Sequence, residues 1–145
     1  MSNQADSPRS VRLAAARFID NRDGTVTDTR LELMWSQATL NPREVGYATA
    51  QQLCAELRLG GHSDWRLPTV EQLFALADRA CSEPAIDAVA FPGTRQDWYW
   101  SCTGTAFAPP KIWIVSFGNG LASYTATDDY LGGYVRAVRP LRAED

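Results

Sequence analysis

The earliest pattern in the chain is a pair of short β-type runs, Arg17-Phe18-Ile19-Asp20 and Thr25-Val26-Thr27-Asp28, separated by Asn21-Arg22-Asp23-Gly24. An Asp-Gly step between two such runs predicts a hairpin. Residues 31–35 continue as a short strand with Trp35 buried, and residues 36–48, which contain Asn41-Pro42, predict a loop. The period then changes. Ala50, Leu53, Cys54 and Leu57 fall at i, i+3, i+4 and i+7, one face of a helix. Thr49 with Gln52 fits a capping box at its start, and Gly60-Gly61 offers the left-handed backbone that stops helices. The pattern repeats with Thr69 and Gln72 as a second capping box and Val70, Leu73, Phe74 and Ala77 as its stripe. Between the two helices, Trp65 stands between Asp64 and Arg66, which predicts a corner with the indole buried and the two charges tying the connection together. His62 belongs to the same turn and reads as a solvated residue rather than a catalytic base.

Residues 78–96 are irregular, with Pro84, Pro92 and Gly93 as breakers and Phe91-Pro92 packing the connection onto the core. The last third alternates again. Residues 98–102 and 112–117 read as strands, Gly118-Asn119-Gly120 as a turn, 121–127 as a strand, 128–133 as a second turn region and 134–139 as a closing strand. The fold class is therefore α+β: an N-terminal hairpin, two helices and a C-terminal antiparallel β-region. Residues 1–10 form a polar tail, expected to be flexible, and 11–145 a single domain.

Composition narrows the function. In 145 residues the net charge is −3, with 45% hydrophobic and 21% charged side chains, and Lys111 the only lysine. No basic footprint for nucleic acid is present, nor a generic attraction for sulfated sugars. No apolar run approaches membrane-spanning length, so membrane insertion is not expected. Met1-Ser2-Asn3-Gln4-Ala5-Asp6-Ser7-Pro8 lacks a basic-then-apolar leader, which implies a cytoplasmic location or export by a signal-independent route.

Cys54, Cys81 and Cys102 show no metal-ligand spacing. An odd count favours free thiols, with Cys54 buried on its helix face, while a Cys81–Cys102 bridge stays open. Asn21, Asp23 and Gly24 echo a calcium loop, but Ile19 stands where the first Asp ligand belongs and Arg30 where the closing Glu belongs. The hairpin is the better reading, and neither a metal nor a cofactor is expected.

The informative feature of residues 98–127 is that Lys111 is their only charged side chain amid Trp, Tyr, Phe, Ser, Thr, Gly and Asn. Antibody-like surfaces use this mixture, with rigid aromatics for contact area and small polar groups for adaptable hydrogen bonds. Strand alternation must bury one face, which takes Trp100, Trp113 or Val115, and Phe117 into the core. Tyr99, Ser116, Asn119, Ser123, Tyr124, Thr125, Thr127, Asp128 and Tyr130 remain as the candidate ligand-binding residues.

The stretch Gly60-Gly61-His62-Ser63-Asp64-Trp65-Arg66-Leu67-Pro68-Thr69 resembles the central motif of the Lcl C-terminal domain family. Asp23-Gly24-Thr25-Val26-Thr27-Asp28, Leu33-Met34-Trp35, Tyr99-Trp100-Ser101, the block from Trp113 to Phe117, and Tyr134-Val135-Arg136-Ala137-Val138-Arg139 match in the same order. The resemblance implies a C-type-lectin-like fold, shared with the formylglycine-generating enzyme and with variable proteins of diversity-generating retroelements. It implies a last strand packed beside the N-terminal hairpin. It also implies sequence variation in the C-terminal third of retroelement-diversified relatives, with the Tyr-Val-Arg ending holding the scaffold. Relatives often carry Cys where Ala137 stands, so a family disulfide ending there has no counterpart in this chain. The calcium-site motifs of sugar-binding C-type lectins (Glu-Pro-Asn or Gln-Pro-Asp, and Trp-Asn-Asp) are missing, as is the reactive cysteine pair of formylglycine generation. One histidine in a turn and no recognisable Ser-centred motif give a hydrolase no nucleophile and base. The expectation is a non-enzymatic, calcium-independent binding domain, a retroelement variable protein recognising a protein or surface ligand through its C-terminal third. The alternatives are a bacterial glycan-binding adhesin and an assembly module of a phage or surface appendage.

Overall fold

The computed structural model describes residues 16–107, 110–127 and 132–143. The predicted hairpin is present as β1 (Phe18–Asp20) and β2 (Thr25–Asp28), paired antiparallel. Its turn closes on itself. Asp23 accepts from the Thr25 backbone N–H at 3.0 Å and from the Thr25 hydroxyl at 2.6 Å, and the Asn21 amide donates to the hydroxyls of Thr25 and Thr27. β3 (Leu33–Ser36) pairs with β2 on one side and with β7 (Val138–Pro140) on the other, giving the order β1-β2-β3-β7. The chain's last strand thus joins the hairpin's sheet, with β3 between them. Only its end does so. Tyr134 bridges instead to Tyr99 of the second sheet, and the segment between is stitched sideways. Val135 accepts from Leu40 N–H and donates to the Asn41 side chain, while Ala137 exchanges two bonds with Ser36.

Arg136 lies inside this crossing, fully buried. Its guanidinium donates to the carbonyls of Ser36 and Gln37 and to the Thr94 hydroxyl, and rests over the rings of Phe91 at 4.8 Å and Tyr99 at 5.7 Å. Burial pulls its pKa below the ordinary value, with neighbouring Tyr99 acting the other way. A cation held by carbonyls and ring faces fixes the crossing without a carboxylate among its described contacts.

Helix α1 (Tyr47–Glu56) begins two residues before the predicted cap. Val45 is held by a two-bond bridge to Gly133, so the backbone bends at Gly46, which caps the helix without a side-chain bond. Thr49 falls in the first turn, and Gln52 reaches forward to Glu56 at 2.9 Å. Nor do Gly60 and Gly61 stop the helix. It ends at Glu56 with Leu57 extended, and the two glycines, at φ of 61° and 81°, form a two-residue turn in which Leu59 and His62 exchange backbone bonds. Helix α2 (Val70–Leu76) carries the predicted capping box in full, with Thr69 accepting from Gln72 N–H and Gln72 bonded back to Thr69 N–H. Its core face is Leu73, Leu76 and Ala77. Phe74, expected on that face, is rotated to the surface and is covered by the Arg79 guanidinium 3.4 Å from its ring centroid.

Trp65 is buried as expected, its indole N–H directed at Leu59 O. The expected Asp64–Arg66 tie is not made. Asp64 instead accepts from Arg139 Nε at 2.6 Å and Arg142 Nη2 at 3.1 Å, across more than seventy residues of chain. Arg66 donates to Leu67 O and Gln72. The Arg139 hydrogen bond holds the Asp64 carboxyl down at about 2, against partial burial, with Arg142 adding to the shift. A depressed carboxylate contributes stability that is present above its unfolded pKa and lost as pH falls through its folded one. Stability should therefore decline from the ordinary value of 3.8 down through about 2, and Asp64→Asn should flatten that decline while lowering stability at neutral pH. Urea titrations at stepped pH measure both.

The second sheet, β4 (Trp98–Gly104), β5 (Ile112–Ser116) and β6 (Ala122–Thr125), is antiparallel in that order. Its two faces feed two hydrophobic clusters. Tyr99 and Val115 join Leu73, Phe91, Phe117 and Val138 in one. Trp100 and Ile114 join Cys54, Trp65, Leu67 and Val135 in the other. The Trp100 indole donates to Val45 O at 2.9 Å, and its ring lies so close to Gly133 that a Cβ there would come within 2.9 Å of Nε1.

Candidate functional site

Burial sorts the candidate residues. Tyr99 points inward and is 1% exposed. Its ring meets Phe117 edge-on at 4.9 Å, and its hydroxyl pairs with Thr39 and accepts from Arg95 N–H at 3.0 Å. The expectation that Tyr99 is a surface contact is corrected. It shares a register with Val115, and that face packs against α2 and the first sheet. Ser116 is likewise buried, its hydroxyl accepting from Gly118 N–H and so shaping the following turn. Asn119 is exposed, with its side-chain oxygen occupied by Leu121 N–H at 3.0 Å. Thr127 is exposed, and Asp128 and Tyr130 lie outside the described residues.

Ser123, Tyr124 and Thr125 are brought together on β6, the edge strand of the sheet. With Trp98, Trp100, Ile114, Gly132 and Gly133 they line a cavity of about 260 Å3. Tyr124 is 45% exposed and forms the centre of an aromatic cluster. Trp113, its register partner on β5, meets it edge-on at 5.5 Å, and Phe107 meets it from the other side at 5.0 Å. Such pairs add about 0.5–1.5 kcal/mol each beyond burial. The cluster is thus ordered by itself while still open to solvent. Beside it runs a groove of about 330 Å3 lined by Val70, Phe74, Thr103, Trp113 and Ala122, with Glu71 the only charged side chain among its described lining.

Phe107, Trp113, Phe74 and Trp98 were not among the sequence candidates. Trp113 lies on the same face of β5 as the buried Val115, so alternation alone assigns it to the core, and it is only partly covered because it sits beside Tyr124 of the edge strand. Phe74 gave no surface signal either, since its helical spacing fits the core stripe as well as the surface.

A second cleft, about 650 Å3, lies between β1 and the 78–96 connection and is lined in part by Arg17, Arg30, Arg79, Asp20, Asp78 and Asp87. Its carboxylates already close turns. Asp78 accepts from Ala80 N–H, and Asp87 from the N–H groups of Val89 and Ala90. Asp20 is held below the usual carboxylate range by Arg22 N–H and then by the Gln37 amide. These charges organise the backbone, so the aromatic face around Tyr124 is the stronger candidate.

The described helices include none long and apolar enough to cross a membrane. No curated protein and no solved structure matches the chain. A family model does match, that of the Lcl C-terminal domain, over residues 24–139, from the turn of the N-terminal hairpin through both helices and the second sheet to β7. The chain belongs to the Lcl C-terminal domain family.

Proposed function

We propose that the protein is a non-enzymatic binding domain that recognises a protein or other surface ligand through the exposed aromatic face around Tyr124. The observation carrying this reading is the Phe107–Tyr124–Trp113 cluster, which stands open to solvent at the edge of the second sheet. Exposed, pre-ordered aromatics are where interfaces concentrate their binding energy. The described framework supports the separation of roles, since Tyr99 and Phe117 are buried while Asn119, Tyr124 and Thr127 face solvent. Family resemblance adds the finer reading, a C-type-lectin-like variable protein diversified by a retroelement. In that case, copies of the gene from related strains should vary at Asn119, Ser123, Tyr124 and Thr127 while keeping Tyr99, Val115 and Phe117.

One observation favours a glycan instead. The cavity beside β6 combines the Trp98 ring with the hydroxyls of Ser123 and Thr125 and no charge among its described lining. Stacking on an aromatic with hydroxyl partners suits a neutral sugar, and an oligosaccharide array distinguishes this from a protein ligand.

Tyr124→Ala is expected to leave the melting temperature nearly unchanged, since exposed substitutions shift stability by about 0.5 kcal/mol or less. It should weaken binding at least about tenfold, the equivalent of about 1.4 kcal/mol. Tyr99→Ala should do the reverse and melt early. Thermal melting of both variants, with titration against the ligand recovered by a wild-type pull-down or array, tests the assignment. Unaltered binding by Tyr124→Ala, Trp113→Ala and Phe107→Ala would place the recognition site elsewhere.

A further inference from the structure

Two of the three cysteines open onto one cavity. Cys54 faces inward from α1 and is 1% exposed, whereas Cys102, on β4, is open to solvent. Together with Gln51, Trp65, Arg66 and Leu67 they line a space of about 240 Å3. The Cys102 backbone N–H donates to Pro68 O at 2.8 Å, which pins this part of β4 against the corner that carries Trp65. Cys81 takes no part. It lies on the 78–96 connection, with its thiol donating to the Asp78 carboxylate.

The two thiols are chemically unequal. Burial pushes the Cys54 thiol up to about 12, and the proximity of Cys102 raises it further in the same direction. Cys54 therefore stays protonated and shielded, while Cys102 meets solutes first. We propose that Cys102 and Cys54 are the reactive and the resolving thiol of an oxidation site, closing into a disulfide between β4 and α1 when the protein meets hydrogen peroxide.

The chemistry balances in two steps. The Cys102 sulfur attacks one peroxide oxygen, the O–O bond breaks, and the departing hydroxide takes the Cys102 proton as water. Cys102 is left as a sulfenic acid, oxidised by two electrons that reduce the peroxide. The Cys54 sulfur then attacks the Cys102 sulfur, the S–S bond forms and the S–OH bond breaks. The second hydroxide leaves with the Cys54 proton, again as water. The net result is one disulfide and two waters from two thiols and one peroxide. A raised pKa slows Cys54 against solutes in bulk water. A sulfenic acid held in the same cavity is an intramolecular target, for which positioning offsets low nucleophilicity. The bond would tie α1 to the sheet that carries the aromatic face, and it stands independently of the binding reading.

The test uses the full chain with Cys81→Ser, so that only the two cavity thiols remain. After hydrogen peroxide, unfolding and alkylation, intact mass should show the loss of two hydrogen atoms and no alkyl adduct. Digestion should recover one cross-linked peptide pair containing Cys54 and Cys102, and dithiothreitol should restore both alkylation sites. With Cys54→Ala added, Cys102 should halt as a sulfenic acid trapped by dimedone. With Cys102→Ser added (an exposed change that spares the core), Cys54 should remain reduced. The proposal is overturned if Cys102 proceeds to sulfinic acid while Cys54 stays free, if cross-links form only between chains, or if both thiols remain alkylatable.

Discussion

Asp28→Ala is expected to destabilise the protein by about 3–5 kcal/mol, the range seen when one partner of a buried ion pair is removed. The Asp28 carboxylate is fully buried at the end of β2 and serves five donors. Arg17 Nε and Nη2 each reach it at 2.9 Å, the Trp35 indole N–H at 3.1 Å, and the backbone N–H groups of Arg30 and Leu31 at 3.2 Å. Truncation leaves a guanidinium only 20% exposed without its anion and a fully buried indole N–H without its acceptor. Each stranded group carries its own desolvation penalty. A loss of this size is a large part of the stability of a single domain. Asp28→Asn keeps the shape and one acceptor oxygen, so it should fall between wild type and alanine. Urea denaturation of the two variants orders them. If Asp28→Ala melts with wild type, this carboxylate does not hold β2, β3 and Arg17 together.

That network also shows why part of the fold could be read from the sequence and part could not. The hairpin, the Thr69–Gln72 capping box and the burial of Trp65 rest on residues within a few positions of one another, where spacing alone dictates geometry. The start of α1 was misplaced because a distant event decides it. Val45 pairs with Gly133 and sets the bend at Gly46, overriding a good local box at Thr49. Asp64 shows the same effect in electrostatics. Its neighbour Arg66 was the plausible partner, but the corner docks against β7 through the Arg66–Val138 bridge and meets Arg139 there. At the candidate surface, composition points to the C-terminal third of the chain, and burial divides its residues. Tyr99 and Tyr124 are chemically alike and, paired with Val115 and Trp113, lie on the same face of the sheet; Tyr99 on β4 is covered by the core, whereas Tyr124 on the edge strand β6 is open to solvent. The odd cysteine count favours free thiols while leaving a Cys81–Cys102 bridge open, and the cavity shared by Cys54 and Cys102 has no sequence signal because it forms only when α1 packs on β4.

Trp65→Ala should destabilise the protein by about 3–5 kcal/mol as well, through a cavity rather than a stranded charge. The indole is 4% exposed and packs in the cluster that holds Ala50, Cys54, Leu67, Trp100, Val135 and Ala137, where α1, β4 and the C-terminal crossing converge. Its N–H is directed at Leu59 O at 3.3 Å, which braces the two-glycine turn beneath it. Two features place the expected loss toward the upper part of that range. Trp65 is already one wall of the cavity of about 240 Å3, so its removal enlarges an existing space. The surroundings also have little freedom to collapse. Asp64 on one side is held by Arg139 and Arg142, and Arg66 on the other is paired to Val138 by two backbone bonds. Trp65→Phe retains most of the apolar volume and loses the N–H bond, so it should recover more than half of the loss. Chemical denaturation of Trp65→Ala and Trp65→Phe, read by far-UV circular dichroism so that the signal does not depend on the indole removed, gives the two values. Equal stability of Trp65→Ala and wild type would mean that the corner is held by its charges and backbone bridges alone, with the indole a passenger.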